Sequence, residues 1–188
     1  GYFLFTVAMG SFKDPILSFL VACILSLAIG FIVYFFLMRF MAGESIFAAI
    51  LSTIALGILL RGLITLIWTS QLWHPLEKMG MTNSSHTLMK DAVISTFGVV
   101  TVLSALLLYL GLLLCLKFTR WGLRMQAVGE NPLLASRRGI KLHNYYALSW
   151  GIAAFTGGFA GMIQSCDAIL EPGMVFIGLK TFPVVLVG

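Results

Sequence analysis

Long apolar stretches alternate with short polar ones along this chain. Ile16–Met38 and Ala92–Leu116 contain no charged residue, Ile46–Trp68 contains only Arg61, and Tyr145–Ser165 is again uncharged. A helix needs about 20 apolar residues to cross a bilayer, so these four stretches predict four complete spans. The runs are continuously apolar, whereas barrel strands alternate apolar and polar positions, which favours helices. The predicted fold class is therefore all-α, a polytopic transmembrane helical bundle. Residues 1–12 read as the tail of a further span, and Leu179–Gly188 as the start of another apolar element. Both ends fall in mid-element, which predicts a fragment of a longer membrane protein. Lys13–Pro15, Arg39–Ser45, Thr69–Asp91 and residues 166–178 read as connections.

One connection stands apart. Lys117–Lys141 carries Lys117, Arg120, Arg124, Arg137, Arg138 and Lys141 against Glu130 alone. Six basic residues and one acid leave +5, equal to the net charge of the whole chain. Basic loops mark the cytoplasmic side of a membrane protein. Alternation then puts 39–45 inside, and 13–15, 69–91 and 166–178 outside. The outside loops are charge-balanced or acidic, in keeping with that orientation. Trp68 and Trp73 flank the outer end of the second span, where interfacial aromatic residues belong.

Composition narrows the function. The chain is 60% hydrophobic and 10% charged, against about 25% charged in soluble domains. Its basic excess sits in one loop, which argues against nucleic acid as a partner and for a lipid bilayer. Cys23, Cys115 and Cys166 are far apart, as are His74, His86 and His143, so no disulfide framework or metal spacing emerges. Gly173–Thr181 approaches a phosphate-binding loop, but Leu179 separates Gly178 from Lys180 and breaks the required Gly-Lys pair. No nucleophile, base or metal set suggests an enzyme. Nor do the spans hold a run of acids of the kind ion coupling requires.

Four features are candidates for function. Within the basic segment, Asn131 suits an N-cap and Pro132 the first helical position. Glu130 places a negative charge at the positive helix end, and Gly139 stands where a left-handed C′ residue is expected. The result is a helix of about two turns over 131–138, too short to be stable alone, for which Leu133 and Leu134 supply an apolar contact. The plainer reading is an ordinary positive loop. Second, Ser149, Ala153, Gly157, Gly161 and Ser165 recur every four residues, widened by Gly158, as a ridge for close helix packing. Third, Arg61 lies about 10 Å from the outer end of its span; it either snorkels outward or lines a cavity. Fourth, Asp167 and Glu171 either meet an external partner, line the mouth of a pathway, or are solvated loop acids.

The string Gly122-Leu-Arg124-Met-Gln-Ala-Val-Gly129-Glu130-Asn131-Pro132-Leu-Leu-Ala135-Ser-Arg-Arg-Gly139-Ile140 resembles the permease subunits of bacterial ABC importers for branched-chain amino acids. The likeness continues through the fourth span and Gly178-Leu-Lys180-Thr-Phe-Pro-Val-Val-Leu-Val-Gly188, and takes in Leu56-Gly-Ile-Leu-Leu-Arg61-Gly62. Arg137 and Arg138 stand where the family has other residues. The resemblance implies a single permease domain over 1–188, embedded in the bacterial inner membrane, with a cytoplasmic coupling loop at 117–144. It implies that Glu130, Asn131, Pro132, Leu133, Leu134, Ala135 and Gly139 dock on cytoplasmic ATP-binding subunits. The chain would need no cofactor of its own, ATP being bound by the partner subunit. A second permease subunit and a periplasmic solute-binding protein would complete the importer, with branched-chain or other hydrophobic amino acids as substrate. Permeases for urea, amides, nucleosides or sugars in the same superfamily fit the string too. An ion-coupled transporter or channel is a third reading, which the absence of buried acids disfavours.

Overall fold

The computed structural model describes residues 2, 6, 14–41, 46–68, 85–89, 92–167 and 173. Helix α1 is Pro15–Val33. Pro15 opens it at the position where a missing N–H costs no hydrogen bond, and the Ser18 N–H reaches the Asp14 carbonyl at 3.1 Å. At Tyr34–Met38 the helix widens into a π turn, in which the Arg39 N–H bonds back to the Tyr34 carbonyl five residues earlier. Arg39–Met41 then resumes the α form. Helix α2 is Ile46–Trp68. Strands β1 (Ser85–Met89) and β2 (Ala92–Ser95) form an antiparallel hairpin with Ser85 opposite Ser95 and Thr87 opposite Val93. Helices α3 (Thr96–Phe118), α4 (Arg120–Glu130), α5 (Pro132–Arg137) and α6 (Leu142–Asp167) follow.

Four helical stretches are long and apolar enough to cross a membrane: Ile16–Met41, Ile50–Trp68, Gly98–Phe118 and Leu142–Cys166. The helical transmembrane bundle expected from the sequence is therefore present, with two local differences. The third span was expected from Ala92, but Ala92–Ser95 pairs with β1 and the helix begins at Thr96. A short apolar run beside a turn fits a strand as well as a helix. The second difference lies in the basic segment, which is helical over Arg120–Glu130 as well as over the short α5. Trp73, Glu171 and Leu179–Gly188 lie outside the described residues.

Helices α1 and α6 form the packed centre. On α1 the contact ridge is Ser18, Ala22, Ser26, Gly30, Tyr34 and Met38, spaced by four. Ala22 and Cys23 pack with Met162, flanked by Phe19, Phe155, Phe159 and Cys166. A Cβ on Gly30 would lie 2.6 Å from both the Ala154 Cβ and the Trp150 carbonyl oxygen. A Cβ on Gly151 would lie 3.0 Å from the tip of the Phe31 ring, and the Ser26 side chain fills the space a Cβ on Gly158 would need. Two serine hydroxyls are satisfied within their own helices: Ser26 Oγ donates to the Ala22 carbonyl at 2.9 Å, and Ser165 Oγ to the Met162 carbonyl at 2.7 Å. By contrast, none of the apolar window of Ile50–Trp68 or Gly98–Phe118 is buried within the chain.

The small-residue ridge faces α1 only in part. Gly158 and Ser165 lie on the α1-facing side, but Ala153 and Gly157 are exposed and Gly161 is half-buried. Nothing lies within 4 Å of a Cβ placed on Gly157. The residues that meet α1 are instead Ala147, Gly151, Ala154, Gly158 and Met162. In this contact α1 presents residues spaced by four, and α6 residues spaced by three or four.

Replacing Gly30 with Leu is expected to push α1 off α6, at a cost of about 1–3 kcal/mol. Gly57→Leu, where nothing lies within 4 Å, is the matched control. Thermal unfolding in detergent should show a lower midpoint for Gly30→Leu alone.

Candidate functional site

The basic segment folds into a corner. Thr119 ends α3 and caps α4: its Oγ1 donates to the Cys115 carbonyl at 2.5 Å and accepts from the Gly122 N–H at 3.0 Å. Helix α4 then doubles back along the end of α3. Gly122 is buried against the backbone of Cys115 and Leu116, with no room for a Cβ, and Gln126 Nε2 reaches the Leu116 carbonyl at 3.4 Å. The sequence does signal α4. Thr119 is a good N-cap, and Trp121, Met125 and Val128 follow at helical spacing. The density of charge hides that pattern.

Asn131 joins α4 to α5. Its N–H caps α4 on the Ala127 carbonyl at 3.1 Å, and its Oδ1 accepts from the Leu134 N–H at 3.0 Å. Pro132 occupies the first position of α5. At the other end, the Gly139 N–H bonds to the Ser136 carbonyl at 2.9 Å and the Ile140 N–H to the Ala135 carbonyl at 3.1 Å. These two bonds are the Schellman pattern, and Gly139 sits at φ 78°, the left-handed conformation that glycine adopts without a Cβ penalty. Both caps stand where the sequence places them.

The apolar contact of α5 differs from expectation. Leu133 and Leu134 are 62% and 56% exposed, whereas Ala135 is 5% exposed. Ala135 packs with Val128 of α4 and Tyr145 of α6, surrounded by Met125, Ile140, Leu142 and Tyr146. A helix this short has one narrow face to bury, and the small alanine lets α5 approach α4 and α6 closely. The leucines are thereby turned outward. Tyr145 is the hub: its ring lies 5.9 Å from that of Trp121, and its hydroxyl accepts from Arg124 Nη1 at 3.4 Å. The outer surface presents Leu133 and Leu134 between Glu130, Asn131 and Pro132 on one side and Arg137 and Arg138 on the other, all of them exposed.

The root of α6 also meets the π turn. The Tyr34 hydroxyl and His143 Nδ1 are 2.8 Å apart and share a hydrogen bond. The end of α1 and the start of α6 therefore lie at the same end of the bundle, as alternation of the spans requires.

The remaining candidates are not brought to this site. Arg61 is exposed on α2, two turns before Trp68. Trp68 in turn donates from Nε1 to Thr6 Oγ1 at 2.7 Å, tying the end of α2 to the start of the chain. Asp167 is the last residue of α6. Among the described residues, no group of three or more His, Cys, Asp or Glu is placed to hold a metal ion.

No curated protein and no solved structure matches the chain. The family model of the permease component of branched-chain amino acid transport systems matches residues 1–188, and the chain belongs to that family.

Proposed function

We propose that this chain is the membrane-spanning subunit of an ATP-driven importer for branched-chain or other hydrophobic amino acids, and that α5 is the helix through which ATP hydrolysis acts on it. The observation that carries the reading is the orientation of α5. Its two leucines face outward, while its ends are capped and Ala135 is locked against Val128 and Tyr145. A short helix held rigidly from behind, with an apolar ridge in front and charges at both flanks, suits a groove on another protein. Exposed leucines beside six basic residues do not suit the hydrocarbon layer.

In this reading the basic segment lies in the cytoplasm, where positive loops are retained. ATP is bound and hydrolysed by the partner subunits, so the chain supplies transport and no catalysis. Closure of two ATP-binding subunits pulls on α5, and the corner α4–α5 passes the movement to α3 and α6. A second permease subunit covers apolar faces such as those of α2 and α3. A periplasmic binding protein delivers the amino acid at the opposite side of the bilayer.

Aspartate in place of both Leu133 and Leu134 tests the docking. Fully burying a leucine side chain is worth about 1.5–3 kcal/mol, and an aspartate in its place brings a charge into the contact. The double variant should therefore retain its fold and membrane insertion but lose co-purification with the ATPase and nearly all uptake. Gly139→Val, which strains the C-cap, should weaken both in the same direction. Survival of ATPase binding and uptake in the leucine variant would show that α5 is not the docking element. For substrate class, uptake of labelled leucine should be quenched by excess isoleucine and valine, and not by urea or a nucleoside.

A further inference from the structure

The π turn in α1 is fastened to the root of α6. Tyr34 is 2% exposed, although it stands in a span whose neighbours Phe35 and Phe36 are exposed. Its hydroxyl shares the 2.8 Å hydrogen bond with His143 Nδ1, and the two ring centroids are 5.0 Å apart. Phe35 meets the same imidazole edge-on at 5.4 Å. His143 is the second residue of α6, three positions after Ile140, which closes the cap of α5. The side chains on either side continue the link. Tyr146 packs against the cluster of Val128, Ala135 and Tyr145 behind α5, and also against the cluster of Tyr34, Met38 and Ala147 around the π turn. Any displacement of α5 therefore reaches α1 through side chains in direct contact.

A π turn holds one residue more than an α turn, and such bulges concentrate at functional sites. Moving the bulge along a helix changes which carbonyls pair with which N–H groups. It also rotates the residues it passes by about 100°. A bulge of this kind can occupy more than one register along its helix, the kind of element that transmission between sites requires. The hydrogen bond from Tyr34 holds the bulge at its present position while α6 keeps its own.

From this geometry we infer that Tyr34 and His143 are a positioning pair. Their hydrogen bond couples movement of α5 to the π turn of α1, and so to the spans that line the pathway. The inference rests on the reading of α5 as the docking helix.

The test uses the complete transporter, with its ATPase and binding protein, reconstituted in vesicles. Tyr34→Phe and His143→Phe each remove the hydrogen bond and keep an aromatic ring. Both should still bind the ATPase and hydrolyse ATP, while uptake per ATP hydrolysed falls roughly threefold to tenfold, the range set by one hydrogen bond. The double variant should be no worse than the poorer single one. His143→Asn, which keeps a hydrogen-bonding atom near the position of Nδ1, should restore coupling. Unchanged uptake per ATP in the two single variants, or losses that multiply in the double variant, would overturn the inference. If Tyr34→Phe is not recovered folded, His143→Asn against His143→Leu decides the same point: equal uptake per ATP in both overturns it. Failure of the docking reading looks different, because there the Leu133 and Leu134 variant retains its ATPase.

Discussion

In hydrocarbon, apolar surface gains nothing by leaving lipid for protein, so helices associate only where their backbones can approach closely. That constraint governs the centre of this chain. Helices α1 and α6 meet where side chains are smallest. Gly30 lies against the Trp150 carbonyl and Ala154, Ser26 against Gly158, and the tip of the Phe31 ring against Gly151. The Ser26 and Ser165 hydroxyls in this contact bond to their own helices, whereas the buried Tyr34 hydroxyl reaches across to His143. Helices α2 and α3 present larger side chains and bury little within the chain. Such surfaces belong against lipid or against another subunit.

At the basic end of the bundle the physics changes. Charged and polar residues replace the uniform apolar surface, and helices become amphipathic. Two hydrogen bonds at Thr119 set the corner between α3 and α4, Asn131 serves two helices at once, and the Schellman bonds at Gly139 end α5. Burial at this corner is modest: Val128, Ala135 and Tyr145 form its small core. Its stiffness comes from caps and from one aromatic hub. The contacts around Tyr146 and His143 join this corner to α1.

Much of this was legible in the residues. Uninterrupted apolar runs specify spans because the bilayer thickness fixes their length. Asn131, Pro132 and Gly139 specify the ends of α5 because capping is local chemistry, decided by a few adjacent residues. Helix α4 was less legible, since its apolar positions are diluted by Arg120, Arg124 and Gln126. The hairpin before α3 was not legible. Ala92–Ser95 pairs with Ser85–Met89, and nothing in the run itself distinguishes a strand from a first helical turn.

By itself the amino-acid sequence determined the four long apolar helices, the concentration of charge at one loop, and the caps of the short helix, because each depends on neighbours along the chain. Tertiary structure alone decided which faces meet. It selected Gly158 over Gly157, because Ser26 of α1 lies against Gly158 and nothing lies within 4 Å of a Cβ placed on Gly157. It turned Leu133 and Leu134 outward, because Ala135 fits the gap beside Val128 and Tyr145. It also brought Tyr34 to His143 across 109 positions of sequence, a contact that depends on how two helices cross and that no local pattern encodes.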